Sequence, residues 1–113
     1  MVKVEAIVRP RCADAVRAAL DEIGVRGVTV TEGHGSGRQK GYTQHYRGAE
    51  YNVNLLQKTK LEIVVADDEA PQVVEAIRRA AQTGEIGDGK IFVTPILDVI
   101  RIRTDERGEA ALR

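Results

Sequence analysis

The order of periodic segments predicts an α+β domain, in which two strand–helix–strand halves form one antiparallel sheet with both helices on the same face. Three observations carry that expectation. Residues 2–9 alternate with period two, and residues 66–84 carry a helical stripe with start and stop signals. Between further strand signals lies a long polar stretch, GSGRQKGYTQHYRGAEY at 35–51, with almost no core-forming side chain. At 113 residues the chain makes one domain, 1–113, with one core.

The first strand, VKVEAIVR at 2–9, puts Val2, Val4, Ala6 and Val8 on one side and Lys3, Glu5, Ile7 and Arg9 on the other, and Pro10 closes it. Over 12–23 the period lengthens to that of a helix, with Val16, Ala19, Leu20 and Ile23 on one face and Gly24 as the stop. Strands are expected at about 27–33 and at 57–66. The second helix has Asp67 or Asp68 as its cap, Pro71 in the first turn and Val73, Val74, Ile77 and Ala81 as its apolar stripe. Arg78 and Arg79 sit late, where the helix dipole favours cations, and Gly84 ends it. Residues 90–94 and 98–103 are strand-like, the latter through its I-R-I-R alternation. The pattern is ferredoxin-like, with the long loop between strands 2 and 3. Its second sheet face needs cover, and with aromatic residues at 4% oligomerisation is the expected source.

Seventeen Lys+Arg balance seventeen Asp+Glu, which argues against bulk nucleic-acid binding but leaves room for a local basic pocket. The lone cysteine, Cys12, makes no internal disulfide framework and fits a reducing compartment. No run approaches the roughly 18 apolar residues of a membrane span. MVKVEAIVRP is too short and too charged for a signal peptide, so a cytoplasmic location is expected.

Chemistry concentrates in two glycine clusters. In TGEIGDGKIFV at 83–93, Gly84, Gly87 and Gly89 free the backbone to cradle phosphate oxygens, and Lys90 adds a charge. The G-K-[ST] ending of a P-loop is missing, because Ile91 stands where the hydroxyl should be, and the cluster reads equally as a helix C-cap and a tight turn. Arg101 and Arg103, two apart on a strand, would point the same way and clamp one anion; they read otherwise as a solvated strand face. Arg38, in the first cluster, is a third candidate. His34 and His45 have no partner at metal-ligand spacing, and no nucleophile–base arrangement is visible, so a catalytic role is not expected.

Two longer motifs now carry a resemblance. YRGAEY at 46–51 and T-x-x-x-G-D-G-K-I-F-V from Thr83 to Val93, with TVTE at 29–32, GRQKG at 37–41 and RIRT at 101–104 in order, resemble the PII signal-transduction proteins of nitrogen metabolism. The resemblance spans essentially the whole chain. It implies a ferredoxin-like homotrimer with nucleotide sites in the clefts between subunits. The family's T-loop would correspond to about 37–55, its B-loop to about 82–90 and its C-loop to about 102–113. ATP and ADP would compete for each site. Gly87, Asp88, Gly89 and Lys90 would wrap the phosphates, Arg38, Arg101 and Arg103 would pair with them, and Gly35, Gly37 and Gln39 would lie alongside. Thr29 and Val64 would lie near base and ribose.

The resemblance further implies 2-oxoglutarate binding through Mg²⁺ shared with the ATP phosphates. Gln39 would be the metal ligand, Gly37, Arg38, Gln39, Lys40 and Gly41 would contact the acid, and Lys58 would pair with its distal carboxylate. Tyr51 matches the modifiable tyrosine, whereas Ala49 removes the serine phosphorylated in some branches. Candidate targets are an ammonium transporter, glutamine-synthetase modifying enzymes, an arginine-pathway kinase and a nitrogen-regulatory histidine kinase; membrane contact would come only through the transporter. Arg9-Pro10-Arg11-Cys12 departs from the common K-P-F-K, and Asp105 replaces the usual glycine after R-I-R-T, which bears on the C-loop contacts. The expected function is thus a non-enzymatic sensor of nitrogen, carbon and energy status. The alternatives are a small ferredoxin-like phosphate-ester enzyme and an RNA-binding module, the latter needing sheet aromatics where Phe92 is the only phenylalanine.

Overall fold

The computed structural model describes residues 1–36, 42–46, 49–53 and 56–113, with the backbone alone at 42–46 and 49–53. Four strands form the main sheet: β1 (Val2–Val8), β2 (Thr29–Gly35), β5 (Leu56–Val65) and β6 (Gly89–Pro95). Their order is β2-β5-β1-β6 and every neighbouring pair is antiparallel. Helices α1 (Ala13–Glu22) and α2 (Ala70–Ala81) are the two crossovers and pack on one face. This is the expected ferredoxin-like double βαβ.

The period-two pattern decides which face meets the helices. Val4, Ala6 and Val8 of β1 and Leu61, Ile63 and Val65 of β5 are buried against Val16 and Leu20 of α1 and Val73, Ile77 and Ala81 of α2. Fully burying a side chain of this size is worth about 1.5–3 kcal/mol, so this layer dominates the fold's stability. The register pairs Val4 with Ile63 and Ala6 with Leu61, so a one-residue slip would turn the whole set outward. The opposite face carries Lys3, Glu5 and Ile7, with Lys60 and Glu62 across from Ile7 and Glu5 and Phe92 on the other side of Glu5. Ion pairs Lys3–Glu5 and Lys60–Glu62 run along it.

Both helices deviate at their starts. Each is preceded by a 3-10 turn, Pro10–Cys12 and Asp67–Glu69, so α2 begins at Ala70 with Pro71 in its first turn. No side chain caps it: the Asp67 carboxylate is drawn instead to the Met1 ammonium, 2.8 Å away. In the last turn Arg78 and Arg79 both bond Glu75, whose carboxyl they hold down at about 2, Arg78 contributing most.

Two further differences concern the long polar stretch and the segment after β6. Part of the long polar stretch folds as a second, two-stranded sheet, β3 (Tyr42–Tyr46) against β4 (Ala49–Val53). Tyr42, Thr43, Tyr46, Tyr51 and Val53 are strand formers, and pairing Tyr46 with Ala49 leaves only two residues between the strands. The expected strand at 98–103 does not form. A single bridge joins Ile100 to Arg107, and Ile102 is fully exposed. The Arg101 N–H bonds the Glu106 carbonyl and the Asp105 N–H bonds the Arg101 carbonyl, so the chain turns back at once. Asp105 makes the turn with φ 61°, the left-handed conformation that aspartate tolerates better than most residues. A last 3-10 turn spans Gly108–Leu112.

Candidate functional site

The end of β1, the end of β2, the start of β5 and the loop into β6 meet around a cleft of about 540 Å³. Ile7, Gly35, Leu56, Lys58 and residues 85–90 line it. The loop is shaped by charge. Asp88 turns its carboxylate back to accept from the Thr83 N–H at 2.8 Å, the Gly84 N–H at 2.9 Å, the Thr83 hydroxyl and Arg9 Nε at 3.3 Å. The Thr83 hydroxyl first, then the backbone N–H groups and Arg9, hold its carboxyl well below the usual carboxylate range. Arg9 Nη2 also donates to the Ile86 carbonyl at 2.8 Å, and Lys58 Nζ to the Gly87 carbonyl at 3.0 Å. Two loop carbonyls and the Asp88 carboxylate are thus bonded by cations and amides, and the remaining charged groups lining the cleft are Glu85 and Lys90.

Backbone conformation fixes the glycines. Gly84, Gly87 and Gly89 all have φ between 88° and 105°, so both glycine spacings do conformational work. Gly89 has no alternative, because a Cβ there would lie 1.7 Å from the Ile7 carbonyl oxygen, with Gly89 paired opposite Val8. Lys58, part-buried at the cleft wall, has its ammonium pKa lowered by burial first and by the neighbouring Arg9 charge second, while Asp88 opposes the shift. An incoming anion would favour the charged ammonium and so oppose the shift, as Asp88 does.

Gly35, Lys58, Gly87, Asp88, Gly89 and Lys90 converge on this cleft. Thr29 opens β2 opposite Glu62, and Val64, opposite Lys3, borders a second hollow beside 24–27 and Leu112. Arg101 and Arg103 do not line the cleft; they lie in the turn that replaced the expected strand, so the shared-face clamp read from their spacing does not form. Gly37, Arg38, Gln39, Lys40 and Gly41 fall outside the described residues, and of Tyr51 only the backbone is described, in β4 opposite Gln44. Arg9 and Thr83 were not among the expected site residues. The interval from Thr83 to Asp88 is a legible signal for a hydroxyl–carboxylate turn closure, whereas the reach of Arg9 across 79 positions to Asp88 is visible only in three dimensions.

Ser36 also lines the cleft, and no base bonds its hydroxyl among the described residues. No group of three His, Cys, Asp or Glu is placed to hold a metal among them either. No helix in the described residues is long and apolar enough to cross a membrane. Fold and site together define a ferredoxin-like domain with a glycine-rich loop bordering a cleft at one end of its sheet. Residues 1–106 match the family model for nitrogen regulatory protein P-II. The chain is 59% identical over 112 residues to the nitrogen regulatory protein P-II of Rhizobium meliloti and 55% identical to that of Azospirillum brasilense, covering 99% of this chain and all of each relative. A crystal structure of Arabidopsis thaliana PII bound to citrate superposes with a TM-score of 0.81 at 46% identity, over 99% of this chain and 89% of that one. The chain belongs to the nitrogen regulatory protein P-II family.

Proposed function

We propose that this protein is a non-enzymatic sensor that binds ATP or ADP and, with Mg–ATP, 2-oxoglutarate, and regulates target proteins through residues 37–55. The observation that carries the reading is the cleft where Gly87, Asp88, Gly89, Lys90 and Lys58 converge around a loop locked by Asp88. Gly87, Gly89 and Lys90 would meet the phosphates, with Arg38 from the first glycine cluster. Asp88 would contribute backbone only, since its carboxylate is committed to Thr83, Gly84 and Arg9. Thr29 and Val64 would meet base and ribose. Because Arg101 and Arg103 lie outside the cleft of their own chain, a neighbouring subunit of a homotrimer would supply them, and the same trimer would cover the charged sheet face.

Mg²⁺ would supply a hard cation that binds phosphate and carboxylate oxygens together, with Gln39 as the protein's oxygen donor. A metal held mostly by its ligands' oxygens is consistent with the lack of an acidic or histidine cluster among the described residues. Lys58 would receive the distal carboxylate of 2-oxoglutarate. Citrate, named for the Arabidopsis relative, is a polycarboxylate of the same chemical class. Tyr51, on β4, would be the modifiable residue, and the transporter, glutamine-synthetase modifying enzymes and kinases named above would be the targets.

Calorimetry with ATP and ADP tests the nucleotide site. Both should bind the wild type, and Lys90→Gln should weaken both by roughly tenfold, the loss of one charge-assisted contact. Absence of binding by either nucleotide at millimolar concentration refutes the proposal.

A further inference from the structure

We propose that Glu106 is a built-in competitor for Arg101, occupying the guanidinium that nucleotide phosphate would otherwise take and so setting nucleotide affinity lower than Arg101 alone would give. The inference rests on the reading above, in which Arg101 pairs with phosphate. Arg101 Nη1 donates to Glu106 Oε1 at 2.6 Å and Nη2 to the Ala110 carbonyl at 3.3 Å. The backbone of the same two residues is locked, Arg101 N–H to Glu106 carbonyl at 2.9 Å. The Thr104 hydroxyl donates to the same Oε1 at 2.7 Å, and its oxygen accepts from the Glu106 N–H at 3.3 Å. The carboxylate is therefore preorganised on the guanidinium, held on both sides by its own turn. Thr104 first and Arg101 second also keep its carboxyl below the usual range, so it is ionised at neutral pH.

Arg103 has no hydrogen bond or ion pair among the described residues, so the two arginines differ in kind. One is available to an anion outright, and the other must exchange a carboxylate and a tail carbonyl for it. A polyphosphate carries more charge than one carboxylate and can win that exchange, but at the cost of the pair. Arg101 is 25% and Glu106 43% exposed, a solvent-screened pair whose removal should shift affinity about two- to fivefold. Drawing Arg101 onto phosphate would also free the Ala110 carbonyl and loosen the last turn, Gly108–Leu112.

The test is ADP titration, in metal-free buffer, of the wild type, Glu106→Gln, Arg101→Gln and the double variant, with circular dichroism and sedimentation confirming an unchanged fold and assembly. Glu106→Gln should bind ADP about two- to fivefold tighter, and the same change should give no gain once Arg101 is glutamine. Glu109→Gln, which removes an equal charge three residues away, should leave affinity unchanged. Equal or weaker ADP binding by Glu106→Gln overturns the inference, as does an equal gain in the Arg101→Gln background or an equal gain from Glu109→Gln. Should Glu106→Gln perturb the turn, Glu106→Asp gives the same reading, since a shortened acid releases Arg101 while keeping the charge. A wild type that binds no ADP overturns the parent reading, and this inference with it.

Discussion

Gly89→Ala puts the geometry of the cradle under the most direct strain. The new methyl would sit 1.7 Å from the Ile7 carbonyl oxygen, 2.8 Å from its carbon and 3.3 Å from Val8 Cα, all backbone of a central strand. No side chain can swing away, so the start of β6 must separate from β1. The φ of 105° adds about 1–3 kcal/mol for an L-residue, and forced overpacking another 1–3 kcal/mol. The sum, about 2–6 kcal/mol, is a large part of the roughly 5–15 kcal/mol that stabilises a domain. At about 4 °C per kcal/mol, thermal melting by far-UV circular dichroism at fixed protein concentration should fall by roughly 8–24 °C. Gly84→Ala has an open Cβ position but φ 88°, so it should cost about 1–3 kcal/mol, while Gly33→Ala, open and without positive φ, should be neutral or slightly stabilising. A Gly89→Ala variant that melts with the wild type, or above Gly84→Ala, would refute the close-approach argument.

Leu20→Ala, which empties a fully buried site between α1 and the sheet, should lower stability by about 2–5 kcal/mol in urea titration. Asp88→Asn should speed hydrogen exchange at the Thr83 and Gly84 amides while leaving the β1–β5 ladder protected, because the carboxylate closes the loop and not the sheet. Glu75 and Asp88 both have carboxyl pKa values depressed by folding, so their stabilisation is complete above the unfolded value near 4 and is lost as pH falls through the folded one. For Glu75 that window runs from about pH 4 to about 2, and Glu75→Gln should flatten the acid limb of the stability profile there. Gln39→Ala should abolish 2-oxoglutarate binding and largely spare ATP, as read by calorimetry.

The sheet and both helices were legible because burial is periodic: Val4, Ala6 and Val8, then Val73, Ile77 and Ala81, alternate or recur as their partners require. The glycine loop was legible for a different reason, since positive φ leaves glycine as the natural occupant. What the sequence concealed are choices settled by competition. Asp67 could cap α2 or meet the Met1 ammonium, and the ion pair prevailed. The I-R-I-R alternation at 100–103 needed a strand partner, and the turn at Asp105 took that backbone's hydrogen bonds instead. Arg9 reads as the outward end of β1, yet it reaches Asp88 and the Ile86 carbonyl because the fold brings the loop beneath it.

The proposed function requires one cleft to read phosphate and carboxylate together. Its most direct test is calorimetry of 2-oxoglutarate binding in the presence of Mg–ATP and, separately, of ADP. Binding with Mg–ATP and none with ADP is the expected result, since on the proposed function the acid would depend on a cation held by the triphosphate. Equal binding in the two conditions would contradict it.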